Sequence, residues 1–262
     1  MQSEFFELEN KLADQLAILK DNFELCAVKA EFEAEGASLR DLFKLRVLTA
    51  RYNVPLYLKI GGVEALRDIK DAMEVGVDGL IAPMVESPFG VIKFIGAIES
   101  IFGNKKLFKS INIETQTAVE QIDDILKVAE GKIDNVTVGR TDLSLSYFDP
   151  MIEPDSPFIT NLIERLSHKV QSSRMTLTIG GSLAVESIRL FNKNQKQFYD
   201  RVFGMETRKV VFTAEQMLKE ENALKEALRF EELFIRFKLE SKSWFSRSEQ
   251  ERLVKLKKRL FN

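Results

Sequence analysis

Hydrophobic and polar positions follow two periods along most of this chain, and each switch between them marks a predicted element. Leu8, Leu12, Leu16 and Leu19 recur at helical spacing, which predicts an amphipathic helix over 4–21. From Cys26 to Glu35 the period becomes two, which predicts a strand. Ser38 stands where it can N-cap a helix over 38–52. The pattern then repeats. A strand at 55–60 closed by Gly61-Gly62 precedes a helix at 63–75 that ends at Gly76, and a strand at 79–84 precedes a helix at 88–102. A strand ending at Glu114 leads to a helix from about 117, with Thr117 and Glu120 at capping-box spacing. A strand from 135 to near Asp142 precedes a helix at 156–172, a strand at 175–180 precedes a helix at 183–193, and a strand follows at 201–206. Lys209 to Phe212 reads either as a further strand or as the start of the next helix. Residues 214–240 predict a long helix, with Thr213 and Gln216 as a second capping box, and 246–260 predict another.

Strand–helix alternation over most of the chain implies a parallel sheet with right-handed crossovers. Seven clear strands and an optional eighth favour a closed sheet over an open one. The expectation is an α/β fold: a (β/α)8 TIM barrel with an N-terminal helix and additional C-terminal helices. Residues 1–240 form the barrel domain in this reading, and 241–262 a helical extension suited to oligomer contacts. No G-x-G-x-x-G or Walker sequence argues for a dinucleotide or P-loop fold.

The alternation also assigns faces. Val28, Ala30 and Phe32 oppose Lys29, Glu31, Glu33 and Glu35; Leu56, Leu58 and Ile60 oppose Tyr57 and Lys59. Ile111 and Ile113 oppose Ser110, Asn112 and Glu114; Val136 and Val138 oppose Asn135 and Thr137; Leu177 and Ile179 oppose Thr176 and Thr178. The apolar faces must meet the helices, so the polar faces line a lumen that barrels ordinarily fill with branched apolar side chains. Buried charges need partners or a ligand. Either a polar network fills the lumen, with Lys29 and Lys59 neutralising glutamates, or the charges serve a site at the C-terminal strand ends. The residues at those ends are Glu33 or Glu35, Lys59, Met84 with Glu86, Glu114, Arg140 with Asp142, Gly180 with Gly181, and Glu206. Glu114 and Asp142 close neighbouring strands and form a plausible divalent-cation site.

Composition removes several alternatives. Lys plus Arg is 38 and Asp plus Glu is 40, a net charge of −2, so no global basic field argues for nucleic acid. The single cysteine, Cys26, excludes an intramolecular disulfide and reads as a packed thiol. No apolar run is long enough to span a bilayer, and the N-terminus lacks the pattern of a signal peptide, so a cytoplasmic location without membrane contact is expected. The one histidine, His168, falls within the predicted 156–172 helix and reads as a surface residue. Trp244, Phe245 and the run Arg252, Lys255, Lys257, Lys258 and Arg259 mark a basic C-terminal helix, either solvated or packed on another subunit.

Three segments, Ala82-Pro-Met-Val-Glu-Ser87, Ile111-Asn-Ile-Glu-Thr115 and Val138-Gly-Arg-Thr-Asp-Leu-Ser144, together resemble the HpcH/HpaI aldolase and citrate lyase β-subunit superfamily, the phosphoenolpyruvate/pyruvate-binding barrels. The resemblance implies a (β/α)8 barrel with Mg2+, or Mn2+ or Co2+, held by Glu114 and Asp142. It implies breakage or formation of a carbon–carbon bond beside a 2-oxo acid or acyl-CoA thioester. It places Lys59 where the family has a cation, usually arginine, and the backbone N–H groups of Thr141 and Asp142 where the substrate carboxylate is held. Three departures stand out, the first being that the N-terminal strand expected before 26–35 is not evident. The aldolase branch has an acid–base histidine where this chain has Glu35-Gly36, and the family's Gly-Pro-Ala-Asp turn is Gly139-Arg-Thr-Asp142 here.

The resulting expectation is a divalent-metal-dependent aldolase acting through a pyruvate-type enolate. Lys59, Glu35 and Arg140 are the catalytic candidates. Thr141, Asp142, Met84, Glu86, Gly180 and Gly181 bind substrate, and Glu114 and Asp142 bind metal. The expected partners are a small 2-oxo acid, an aldehyde or thioester, and further copies of the chain. The alternatives are a citrate lyase-like acyl-CoA lyase and a non-catalytic protein that binds a 2-oxo acid or phosphoenolpyruvate. A salt bridge to a loop acid such as Asp149 is the other reading of Arg140.

Overall fold

The computed structural model describes residues 2–194 and 200–261. Eight strands close into one barrel in chain order: β1 (Ala27–Glu31), β2 (Leu56–Lys59), β3 (Gly79–Ala82), β4 (Phe108–Ile113), β5 (Asn135–Gly139), β6 (Thr176–Gly180), β7 (Gly204–Glu206) and β8 (Val210–Thr213). Helix α1 (Gln2–Phe23) precedes the barrel. Between strands lie α2 (Leu39–Arg51), α3 (Leu66–Val75), α4 (Pro88–Phe102), α5 (Gln116–Glu120), α6 (Ile122–Ala129), α7 (Arg140–Leu145), α8 (Pro157–Ser172) and α9 (Val185–Asn194). After the last strand come α10 (Ala214–Lys219) and α11 (Glu221–Phe261).

Local chemistry sets several boundaries. Ser38 and Asp41 form a reciprocal capping box at α2. Ser87 and Ser156 cap α4 and α8, each followed by proline at the first helical position. Gly76 ends α3 in the left-handed conformation, φ +74°. At α5 the cap is Thr115, whose side chain accepts from Ala118 N, so the expected Thr117–Glu120 box does not form.

The first seven strands are parallel, and β8 is antiparallel to both β7 and β1. Only three residues, 207–209, join β7 to β8. A parallel return needs a crossover of a dozen or more residues, so this link can only make a hairpin. The expected run of parallel strands is thus broken at the last strand. The β7–β8 turn stands at the C-terminal mouth, and β8 carries the chain back to the opposite face. Helix α11 then returns along the outside and passes the mouth. It runs unbroken from 221 to 261, where two helices were expected. Serines near residue 243 do not end it; Ser246 Oγ bonds the Ser243 carbonyl at 3.0 Å within the helix. Helices α1 and α11 pack together, and Gln15 Nε2 donates to Glu226 Oε2 at 2.6 Å. Among the described residues no helix is long and apolar enough to cross a membrane.

The main apolar layer lies between strands and helices, where Val28, Ala30, Leu56, Leu58, Ile111, Ile113, Val136, Val138, Leu177 and Ile179 are all buried. The lumen is polar, as the alternation predicts. At mid-height its groups are neutral and mostly satisfied, although Asn112 Oδ1 is buried without a hydrogen-bond partner. Asn135 Nδ2 donates to Ser110 Oγ at 2.9 Å and Thr137 Oγ1 at 3.1 Å, while its Oδ1 accepts from Thr176 at 2.8 Å and Thr178 at 3.0 Å. Below, Tyr57 stacks on Phe108 with ring centroids 4.5 Å apart.

Candidate active site

A cleft of about 450 Å3 opens at the C-terminal strand ends, with Lys59, Glu114, Thr141, Asp142, Gly180, Gly181 and Glu206 on its walls. Barrel strands converge their last side chains on this face, so residues remote in sequence meet there.

Glu114 follows β4 and is 2% exposed. Its Oε1 accepts from Met84 N at 2.9 Å and its Oε2 from Asn112 Nδ2 at 3.2 Å. Met84 holds a positive φ of 49°, a costly conformation for a non-glycine residue, and in it the N–H points at the carboxylate. Gly139, at the end of β5, makes room for Glu114: a Cβ there would stand 3.0 Å from Glu114 Cβ and closer still to its carboxylate. Burial pushes the Glu114 carboxyl above its usual range; the Met84 N–H and Lys59 oppose that, and Asp142 adds to it. Asp142 lies in the first turn of α7 rather than on a strand, because the chain turns into helix directly after Gly139.

A hard divalent cation fits this pair. Two carboxylates share one cleft, one is buried at a cost that a cation would offset, and open space in front leaves positions for water and substrate oxygens. Among the described residues no group of three or more His, Cys, Asp or Glu forms a fuller cage.

A chain of alternating charges crosses the floor. Lys59 lies 3.4 Å from Glu31, its register partner across β1 and β2; Lys29 lies 3.7 Å from Glu31 and 2.5 Å from Glu206. Burial works against the Lys29 ammonium, but Glu206 and Glu31 outweigh it and hold its pKa above the usual value. Burial likewise opposes Glu31, and Lys29 and Lys59 hold it below the carboxylate range. Glu206, at the end of β7, leans over Gly180: a Cβ on Gly180 would lie 2.9 Å from Glu206 Cγ. Gly139 and Gly180 are register partners, so Glu114 and Glu206 lean inward over adjacent strand ends. Thr141 and Ser182 hydroxyls meet at 2.8 Å across the rim.

Four expected site residues do not line this cleft. Arg140 is wholly buried and turned outward: it donates to the carbonyls of Gly180 at 3.2 Å and Gly181 at 2.7 Å and pairs with Asp155, not with Asp149. As the first residue of α7 it points away from the lumen. Glu35 pairs with Lys209 outside the cleft, because β1 stops at Glu31 and a turn through Gly36, φ +53°, redirects the chain. Met84 contributes its backbone N–H, while its side chain is exposed, and Glu86 is exposed beyond it. His168 is exposed on α8. Leu228 and Glu231 of α11 do line the cleft, which helical periodicity alone had no means to indicate. The side chains of Trp244 and Phe245 lie outside the described residues.

A closed β/α barrel with its polar residues gathered at the C-terminal mouth is a scaffold that many enzymes share. Within that class, residues 56–149 match the sequence model of the HpcH/HpaI aldolase/citrate lyase family, a span that contains Lys59, Glu114 and Asp142. The fold is similar to an HpcH/HpaI aldolase from Desulfitobacterium hafniense (16% identity, TM-score 0.57, covering 68% of this chain and 76% of that one). It is also similar to an HpcH/HpaI aldolase/citrate lyase family protein from Burkholderia cenocepacia (13%, TM-score 0.58, 84% and 89%). A citrate synthase variant, SbnG, shares it too (15%, TM-score 0.55, 84% and 91%). No curated protein matches the chain in sequence.

Proposed function

We propose that the cleft is the active centre of a metal-dependent carbon–carbon lyase that takes a 2-oxo acid through a pyruvate-type enolate, with an aldehyde as the second product or substrate. The observation that supports it most is the pair Glu114 and Asp142, one carboxylate buried under the strained Met84 N–H and the other facing the same space. Both would ligate Mg2+, Mn2+ or Co2+. When bound, such a cation supplies Lewis-acid stabilisation of enolate charge.

The chain's own residues do the rest. Thr141 presents its N–H and hydroxyl to the substrate carboxylate. Lys59 places positive charge near the developing enolate oxygen, and Glu31 fixes its position. In the cleavage direction Glu206 accepts the proton of the substrate hydroxyl as the carbon–carbon bond breaks and its electron pair enters the enolate. The same proton then passes to the enolate carbon. Lys29 holds Glu206 for both transfers. This assigns to Glu206 the proton transfer expected of Glu35.

The test is Glu114→Gln, assayed against a panel of 4-hydroxy-2-oxo acids with and without divalent ions. Loss of metal-dependent cleavage by at least a hundredfold is expected; turnover that remains metal-dependent overturns the assignment. The runner-up within the same reading is a citrate lyase-like acyl-CoA lyase, which thioester-dependent cleavage would reveal. The absence of any histidine from the cleft favours a third reading, a 2-oxo acid or phosphoenolpyruvate-binding protein, and calorimetric binding without turnover across the panel would establish it.

A further inference from the structure

Beside the cleft lies a second cavity of about 520 Å3, walled by the β7–β8 turn, the loop after β1 and α11. Its charged walls are Arg208, Lys209, Lys238 and Lys242 against Glu35 and Glu231, four cations to two carboxylates. Two of the cations are deeply buried: the Lys209 side chain is 2% exposed and Lys238 is 9% exposed. Both ammoniums stand over the Phe234 ring, at 4.5 Å and 5.8 Å from its centroid. Lys209 pairs with one oxygen of Glu35, and Lys238 donates to the Glu35 carbonyl at 3.0 Å. The other Glu35 oxygen, Oε1, is buried with no hydrogen-bond partner. Buried like charges repel, and burial pushes Lys209 below the ordinary lysine value, with Glu35 opposing and Lys238 adding to the fall. A fold has no need to gather such charge unless something neutralises it.

We propose that this cavity binds the anionic end of a ligand, a phosphate or carboxylate held between Arg208, Lys209 and Lys238. The excess positive charge selects the anion. The cavity shares Ala34, Arg208 and Glu231 with the catalytic cleft, so the two adjoin at those residues. Resting on the lyase reading, a ligand that passes Arg208 has its reacting end at Glu114 and Asp142 and its anion in this cavity.

Calorimetry on the full chain without divalent ions tests the cavity separately from the lyase reading. The probes are glycerol 3-phosphate, glycerate and glycerol. At least one anionic probe is expected to bind one to one, and glycerol at least tenfold more weakly. Tighter binding of one anion than the other names the end group as phosphate or carboxylate. Affinity is expected to fall at least tenfold in Lys238→Met and in Arg208→Ala, and to hold within twofold in Asp142→Asn. Arg208 is exposed, so its loss leaves folding intact and reads binding alone. Binding of neither anion, equal binding of glycerol, or unchanged affinity in Arg208→Ala overturns the proposal. Failure of the lyase reading instead shows as absent turnover with these affinities retained.

Discussion

Glycine decides where the two inward-leaning carboxylates can sit. Glu114 occupies the space that a side chain on Gly139 would take, and Glu206 occupies that of Gly180. Gly139→Ala should therefore displace Glu114 rather than unfold the protein, because the neighbour that must give way is largely side chain. The expected result is at least a tenfold loss of Mg2+ affinity by calorimetry, with the fold retained by circular dichroism. Unchanged affinity would mean that Glu114 tolerates displacement and is not a ligand. Glu114 and Lys59 were legible in the sequence because a strict period of two carries each to the lumen at a strand end. Glu35 was misread for the same reason: the alternation runs on in the text past Glu31, while the backbone turns. For Arg140 the alternative reading, a salt bridge to a loop acid, is the one the structure has, with Asp155 in place of Asp149, because helix α7 starts at that residue and changes its direction. Periodicity describes a residue only as far as its element extends.

Between elements, Arg140 is the stitch. It joins the start of α7 to the end of β6 through the Gly180 and Gly181 carbonyls, and to the loop before α8 through Asp155. Asp155 in turn accepts from Ser187 Oγ at 2.7 Å, which reaches α9. Four segments around the mouth thus share one guanidinium, whose planar fork a lysine cannot copy. Arg140→Met leaves three carbonyls and a carboxylate without their donor, and a cost of at least about 1–3 kcal/mol is expected from the buried acceptors left unpaired. Asp155→Asn keeps a hydrogen-bond acceptor and, at a half-exposed position, should cost less than half as much; urea unfolding of both variants measures the ratio. Element types were legible from sequence almost throughout. The direction of β8 was not read, although the three-residue link to β7 carried the information.

On the scale of the whole molecule, closure depends on a helix that belongs to no strand–helix repeat. Helix α11 buries Phe230, Phe234 and Phe237 against the barrel and α1, and the same stretch walls the cleft and the cationic cavity. Beyond Lys242 the character changes: Glu249 to Arg259 are exposed and carry the basic run. The barrel count could be reached from strand patterns, but which part of the C-terminal region completes the fold could not, since both halves are amphipathic and only contact separates them. Two truncations separate them in solution. Ending the chain after Lys242 should leave stability within about 0.5 kcal/mol, the scale of surface changes. Ending it after Arg229 removes three buried phenylalanines, each worth about 1.5–3 kcal/mol, and should prevent cooperative folding. Light scattering on the shorter removal then assigns the basic segment. An unchanged mass means a solvated helix, whereas a fall from oligomer to monomer means that residues 243–262 hold subunits together. A large loss of stability in the 242-residue chain would show instead that the exposed half is part of the fold.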